Sequence, residues 1–248
     1  MIVYPNAKIN LGLNILKKRK DNYHDISSVF YPLQDCVDIL EIVKSEKFEF
    51  TKSGIIIPDG ENICEKAWKL LHNDFGVGNV NIHLHKQIAI GAGLGGGSAD
   101  ASFTLMALNK LFDLKITNKE LEKYALQLGA DCPFFIENIP KLVEGIGEKM
   151  SPINLDLSEF KIRLINPEIH ISTKEAYCGV VSQIPELSVE EIIQLPIKEW
   201  KNKLKNDFEV SVFEKHLKLK ELKENLYKEG ALYASMSGSG SVLYGVFT

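Results

Sequence analysis

Residues 79–112 read NVNIHLHKQIAIGAGLGGGSADASFTLMALNKLF, and three kinds of local structure follow one another along them. Apolar and polar residues alternate over 79–88, the period of a strand, whereas from Ala99 onward the apolar residues recur at helical spacing. Between the two lie Gly91, Gly93, Gly95, Gly96 and Gly97, closing on Ser98. Glycine lets the backbone adopt positive φ and come close to an anion. At a helix start the backbone N–H groups lack partners and lie at the positive end of the helix dipole, which suits a phosphate. Strand, glycine loop and helix in that order predict a phosphate-binding loop over Gly91–Ser98. A plain surface loop is the alternative that these glycines alone leave open.

Two well-known phosphate loops fail on context. Gly91, Gly93 and Gly96 satisfy G-x-G-x-x-G. A dinucleotide-binding unit, however, needs a parallel strand soon after the helix with an acidic residue near its end, and here a second helix signal begins at Thr117. No Gly-Lys-Ser/Thr follows the glycines, so the P-loop pattern is also absent.

Upstream of the loop, Ala7, Ile9, Leu11, Leu13 and Ile15 alternate with Lys8, Asn10, Gly12 and Asn14, predicting a half-buried strand with a polar face. Gly12 within that face signals the close approach of another group. After the charged turn KRKDN at 18–22, strands are expected in VFYPL and VDILEIV, then an amphipathic helix from near Asn62 through AWKLLHNDF. Downstream, Thr117 and Glu120 fit a capping box that opens a helix ending near Gly129. Glycines and Pro152 close the first half, predicting a domain boundary near residue 150. The second half begins with a strand in KIRLINP and a helix in STKEAYCGV. A polar helical region follows over 188–229, then strands LYASMS and VLYGVF separated by GSGS. No internal repeat is present, and the mixed order without a steady βαβ rhythm favours α+β.

Of the 248 residues 45% are hydrophobic and 25% charged, enough apolar material for one large or two modest cores. A net charge of -4 gives no footprint for nucleic acid; the lysines dense in 17–20 and 198–228 read as solvated faces. No apolar run approaches the roughly 20 residues of a membrane span, and MIVYPNAKIN lacks the parts of a signal peptide, so a cytoplasmic protein is expected. Cys36, Cys64, Cys132 and Cys178 are too scattered for a zinc site and should be free thiols, mostly buried. His83, His85 and Lys86 have no third ligand at zinc spacing, so no metal cage built by the protein alone is expected.

The loop segment GLGGGSADA at 93–101 resembles motif 2 of the GHMP kinase superfamily. PNAKINLGL at 5–13 is similar to motif 1, and SMSGSGS at 235–241 to motif 3. The resemblance implies a two-domain α+β fold with an N-terminal nucleotide-binding domain over 1–150 and a ferredoxin-like C-terminal domain over 151–248. It implies that Gly91, Gly93, Leu94, Gly95, Gly96, Gly97 and Ser98 wrap the triphosphate of ATP, Ser98 also lying near Mg²⁺, with Asn62 near the adenine. In LGADCPFF, it makes Asp131 the carboxylate that accepts the proton of the substrate hydroxyl; placed as a buried group beside Lys8, it would stay ionised. Without the resemblance, Lys8 and Asn10 fit the solvent side of an ordinary strand, and Asp131 fits a cap on a short helix.

Tyr23 and His24 match the turn that holds a cytosine in one branch of the superfamily, and Tyr177 falls at its second aromatic. Alone, each aromatic fits core packing as well. Asn10, Ser237 and Gly238 are assigned to the substrate side. Two departures stand out. Asn22 replaces the branch's glycine, tolerable because Asn also enters left-handed turns. Ala89 replaces the proline before the loop, giving it a less rigid lead-in. The implied activity is ATP- and Mg²⁺-dependent phosphorylation of the 2-hydroxyl of a cytidine diphosphate-linked methylerythritol, in non-mevalonate isoprenoid synthesis. The implied partners are small molecules only, with no nucleic acid and no membrane, the chain being a monomer or homodimer. A GHMP kinase for another alcohol and a non-catalytic nucleotide binder are the rivals; Tyr23-His24 argues against the first, and retention of Lys8 and Asp131 against the second.

Overall fold

A computed structural model describes residues 1–248. In chain order the strands are β1 (Ile2–Val3), β2 (Asn6–Lys18), β3 (His24–Val37), β4 (Ile39–Lys44), β5 (Glu49–Gly54), β6 (Val80–Lys86), β7 (Lys141–Gly145), β8 (Lys149–Pro152), β9 (Lys161–Ile165), β10 (Tyr233–Met236) and β11 (Leu243–Phe247). The helices are α1 (Ile63–Phe75), α2 (Gly96–Leu111), α3 (Asn118–Leu128), α4 (Phe134–Glu137), α5 (Thr173–Tyr177), α6 (Val189–Ile193), α7 (Phe208–Lys215) and α8 (Leu217–Lys228), with a 3-10 segment at Ile197–Asn202. They build two compact units, neither continuous in sequence. The first gathers Met1–Lys8, Pro32–Ile90 and Gly95–Ile139; the second gathers Ile9–Tyr31, Gly91–Leu94 and Pro140–Thr248.

In the first unit a sheet of order β1-β4-β6-β5 carries the core, with β5 parallel to β6 and the other pairs antiparallel. Leu40, Ile42, Ile82 and Leu84 from the sheet pack with Trp68 and Leu71 of α1 and Leu105 and Leu108 of α2. The capping box predicted at Thr117 and Glu120 is formed, both halves of it, at the start of α3. A second one opens α1: Asn62 accepts from the Cys64 N–H and Glu65 accepts from the Asn62 N–H. The helix ends at Gly76, whose φ of 66° is the left-handed C-cap that glycine adopts without strain.

The second unit holds sheets of order β2-β3-β7-β8 and β10-β11-β9. Leu13, Ile15 and Ile26 share a core with Phe208 and Val212 of α7, Leu219 and Leu226 of α8, and Met236 and Leu243.

Several expectations need correction. β2 is buried on both faces from Asn6 to Ile15, including Lys8 at 3% exposure and Asn10 at 2%. Its polar face is turned to partners inside the protein, so the period-2 alternation marks two interiors of different chemistry. Gly12 does meet another group: a Cβ there would stand 2.6 Å from the Leu204 side chain, with φ at +65°. β5, in the polar run EFTKSG, was not foreseen. The region 188–229 is broken into α6, the 3-10 segment, α7 and α8. All four cysteines are free; Cys64 and Cys132 are buried, but Cys36 is half-buried and Cys178 exposed. No helix is long and apolar enough to cross a membrane.

Candidate active site

The first unit brings together Lys8, Asp131 and the second half of the glycine loop. Lys8 Nζ lies 3.5 Å from Asp131 Oδ2, the lysine side chain 4% exposed and the carboxylate 34%. Asp131 is therefore not the buried carboxylate expected; the buried member of the pair is Lys8. Burial holds the Lys8 ammonium below the usual lysine pKa, and the Asp131 carboxylate opposes that fall. Nor does Asp131 act as a helix cap, since the N-cap of α4 is Pro133 and no side chain caps it. Gly95, at φ +70°, begins α2 and lies against Lys8: a Cβ there would sit 3.1 Å from the Lys8 Cγ and 3.0 Å from Phe135. No side chain caps the N-terminus of α2. Ser98 lies in the first turn of α2; burial pushes the thiol of Cys132, the residue after Asp131, up to about 11. Ser102 of α2 donates to the Cys132 carbonyl at 2.7 Å, pinning the Asp131 loop to the helix that carries Ser98.

Beneath this half of the loop is a feature that sequence reasoning missed. Lys86 Nζ is 2.6 Å from both Asp38 Oδ2 and Asp100 Oδ2, and the three side chains are at most 3% exposed. Asp38 Oδ1 also accepts the N–H groups of Gln87 and Ile88 at 2.6 and 2.9 Å. Burial pulls Lys86 down, yet Asp100 and Asp38 together raise it above the usual lysine value. Asp100, desolvated and beside Asp38, is raised to about 8 in spite of Lys86. Gly96 rests on this cluster, since a Cβ would lie 3.0 Å from Lys86 Nζ and 2.8 Å from Ile88. Asn62, expected near the adenine, uses its Oδ1 to cap α1.

In the second unit the first half of the loop meets the C-terminal glycine turn. A Cβ on Gly93 would be 1.9 Å from the Ser237 carbonyl oxygen, a distance only glycine allows, and Gly93 has φ +81°. Ser237 Oγ donates to the Gly93 carbonyl at 2.8 Å and accepts from the Asn10 N–H at 3.3 Å. Asn10 donates from Nδ2 to Ser28 Oγ at 2.9 Å, while Tyr244 donates to its carbonyl at 2.7 Å. Gly91, Gly93, Leu94, Asn10, Ser237 and Gly238 are thus one neighbourhood, legible in the sequence as motifs but not as contacts. Gly91 and Gly97 lie on the exposed side of the loop, and Ala92, Leu94 and Gly96 on the buried side.

The aromatic residues divide. His24 stacks on Tyr177 with ring centroids 5.0 Å apart and 23° between planes, and Tyr177 meets Phe208 edge-on at 4.8 Å. Tyr23 is 60% exposed in a turn that Asn22, at φ +67°, and the Arg19 ion pairs to Asp21 and Asp25 hold in place. The left-handed role foreseen for Asn22 is the one it has.

Comparison with known proteins identifies the family. The family described as GHMP kinases N terminal domain matches residues 62–138, and GHMP kinases C terminal matches residues 188–248. Relatives from Azobacteroides pseudotrichonymphae and Bacteroides fragilis are 50% and 48% identical over the whole of this chain, which covers 93% and 92% of theirs. Both are named 4-diphosphocytidyl-2-C-methyl-D-erythritol kinase. A crystal structure of 4-(cytidine 5'-diphospho)-2C-methyl-D-erythritol kinase superposes with a TM-score of 0.87 at 31% identity, covering 99% of this chain and 90% of that one. The chain belongs to the GHMP kinases and, within them, to the 4-diphosphocytidyl-2-C-methyl-D-erythritol kinase family.

Proposed function

We propose that this chain transfers the γ-phosphoryl group of ATP to the 2-hydroxyl of 4-diphosphocytidyl-2-C-methyl-D-erythritol, a step of non-mevalonate isoprenoid synthesis. The observation that carries the chemistry is the Lys8–Asp131 pair at 3.5 Å in the same unit as Gly95 and Ser98. Phosphoryl transfer asks little covalent work of a protein; it needs an oriented hydroxyl, a base within reach and positive charge where negative charge is spread. Asp131, one-third exposed, is open to a substrate hydroxyl and takes its proton. Lys8 faces the transferred group and orients the Asp131 carboxylate. The N–H groups at the start of α2 receive the phosphates. Mg²⁺ neutralises nucleotide charge when bound; the oxygen donor that fits it here is the Ser98 hydroxyl, the nucleotide's phosphates completing a hard-cation site.

On this reading Tyr23, His24 and Tyr177 hold the cytosine, the base entering where His24 now stacks on Tyr177. Asn10, Ser237 and Gly238 complete the substrate side, and Asn62 lies by the adenine. The boundary near residue 150 is proposed to separate the family's nucleotide-binding part, 1–150, from its C-terminal part, 151–248. A cytoplasmic protein acting on small molecules, with no nucleic-acid partner, fits the same reading.

The test is ADP formation with Mg-ATP and, in parallel, 4-diphosphocytidyl-2-C-methyl-D-erythritol, mevalonate, phosphomevalonate, homoserine and galactose. Turnover selective for the cytidine compound is expected. Turnover with another acceptor alone would overturn the aromatic assignment, and ATP binding without any turnover would favour a non-catalytic role.

A further inference from the structure

Asn206 lies far in sequence from all three glycine and lysine motifs, yet its side chain is 3% exposed and fully committed. Its Nδ2 donates to two carbonyls, Met236 O and Gly238 O, each at 2.8 Å, and its Oδ1 accepts the Phe208 N–H at 3.0 Å. An amide nitrogen has two hydrogens, so both are used on carbonyls that flank one residue, Ser237. Ser237 in turn bonds to the Gly93 carbonyl, and Gly93 is packed on the Ser237 carbonyl with no room for a Cβ. The Asn206 backbone is also fixed. Leu13 N–H donates to the Lys205 carbonyl and Asp207 N–H to the Leu13 carbonyl, both at 2.8 Å, making a parallel bridge to β2. Asp207 Oδ2 accepts the Ile15 N–H at 2.8 Å, and Glu209 Oε1 accepts from Ser235 Oγ and the Met236 N–H at 3.0 and 2.8 Å.

We propose that Asn206 is a positioning residue for ATP: by drawing two carbonyls of the 236–238 turn onto one amide, it sets Ser237 and through it Gly93 of the phosphate loop. The proposal rests on the reading that Gly91–Ser98 takes the triphosphate. It goes beyond that reading by placing a determinant of nucleotide binding outside the three motifs. Asp207 and Glu209 hold the backbone on either side, so the short run N-D-F-E at 206–209 ties β2, α7 and the C-terminal turn together. Substituting aspartate removes both donors and puts acceptor oxygens against two carbonyls, so the turn must open.

The experiment compares wild type, Asn206→Asp, Ser237→Ala and the double variant in steady-state kinetics with both substrates. Thermal melting and circular dichroism establish that each is folded. For Asn206→Asp, kcat/KM for ATP is expected to fall about 30- to 100-fold; because Ser237 and Gly238 also stand on the acceptor side, KM for the acceptor rises too, but by less than KM for ATP. Because Asn206 acts through Ser237, the double variant should be no worse than Asn206→Asp by more than about threefold. A kcat/KM for ATP within threefold of wild type would overturn the proposal, as would an equal loss for both substrates or multiplicative losses in the double variant. If Asn206→Asp does not fold, Asn206→Ala, which withdraws both donors without adding charge, is read in its place. Failure of both to fold would make Asn206 a general stability residue and also overturn the assignment. Wild type lacking turnover with the cytidine compound would instead retire the functional reading, whatever the variants do.

Discussion

Gly95–Ser98 rest on charge: Lys8 with Asp131 on one side, and Lys86 with Asp38 and Asp100 beneath. Gly91–Leu94, four residues earlier, rest on neutral hydrogen bonds and close packing against Ser237, with Asn10, Asn206 and Tyr244 behind. The difference separates two tasks. Buried ions are costly to move and respond to protonation, so they suit the groups that meet developing charge. Neutral amides and hydroxyls are insensitive to pH and set the shape of the loop.

The largest expected effect is at the charged half. Asp131→Asn should lower kcat by about 10³-fold while ATP affinity, measured by titration calorimetry, stays within about twofold. Near-normal kcat would remove Asp131 from the chemistry. At the neutral half, Gly93→Ala forces a methyl onto the Ser237 carbonyl at a positive φ, and kcat/KM for ATP should fall about 100-fold. Gly97→Ala is its control: nothing lies within 4 Å of a Cβ there, so its melting temperature should stay within about 1 °C of wild type. Equal destabilisation of the two would show that close packing is not what distinguishes Gly93.

A smaller effect is expected at the aromatic turn. Tyr23→Ala should raise KM for the cytidine substrate roughly tenfold, the worth of one stacked base, and leave KM for ATP unchanged. As Tyr23 is 60% exposed, melting should not change; parallel rises in both KM values would mark it as structural. The smallest effect concerns Asp100. Its carboxyl is raised to about 8 in the folded chain, so between about pH 4 and pH 8 the folded state keeps a proton that the unfolded state has released. This contribution to stability is complete below the ordinary aspartate range and lost as pH rises through about 8. Wild type should therefore melt lower at pH 8.5 than at pH 5, and Asp100→Asn should flatten that pH dependence. An unaltered pH slope in the variant would locate the proton elsewhere in the cluster.

What could be read from the sequence was local. The glycine loop, the Thr117 capping box and the left-handed Asn22 depend on neighbours within a few residues, and residue type alone specifies them. What could not be read was pairing across distance. Lys86 reaches Asp38 and Asp100 across 48 and 14 residues, and nothing in HLHK distinguishes a buried lysine from a solvated one. The polar face of β2 was misjudged for the same reason: alternation reports that two faces differ, not that one is wet. The Lys8–Asp131 pair was legible only through resemblance, because no spacing rule joins residues so far apart.

The chain passes between its two units between Lys8 and Ile9 and again between Leu94 and Gly95, inside the two motifs that matter most. The units are therefore inherited together. A gene fragment starting at residue 151 leaves behind Leu13, Ile15 and Ile26, which belong to the same core as Phe208 and Leu219, and one ending at 150 exposes those same side chains. Recombination between relatives at any single point cannot exchange one unit and spare the other.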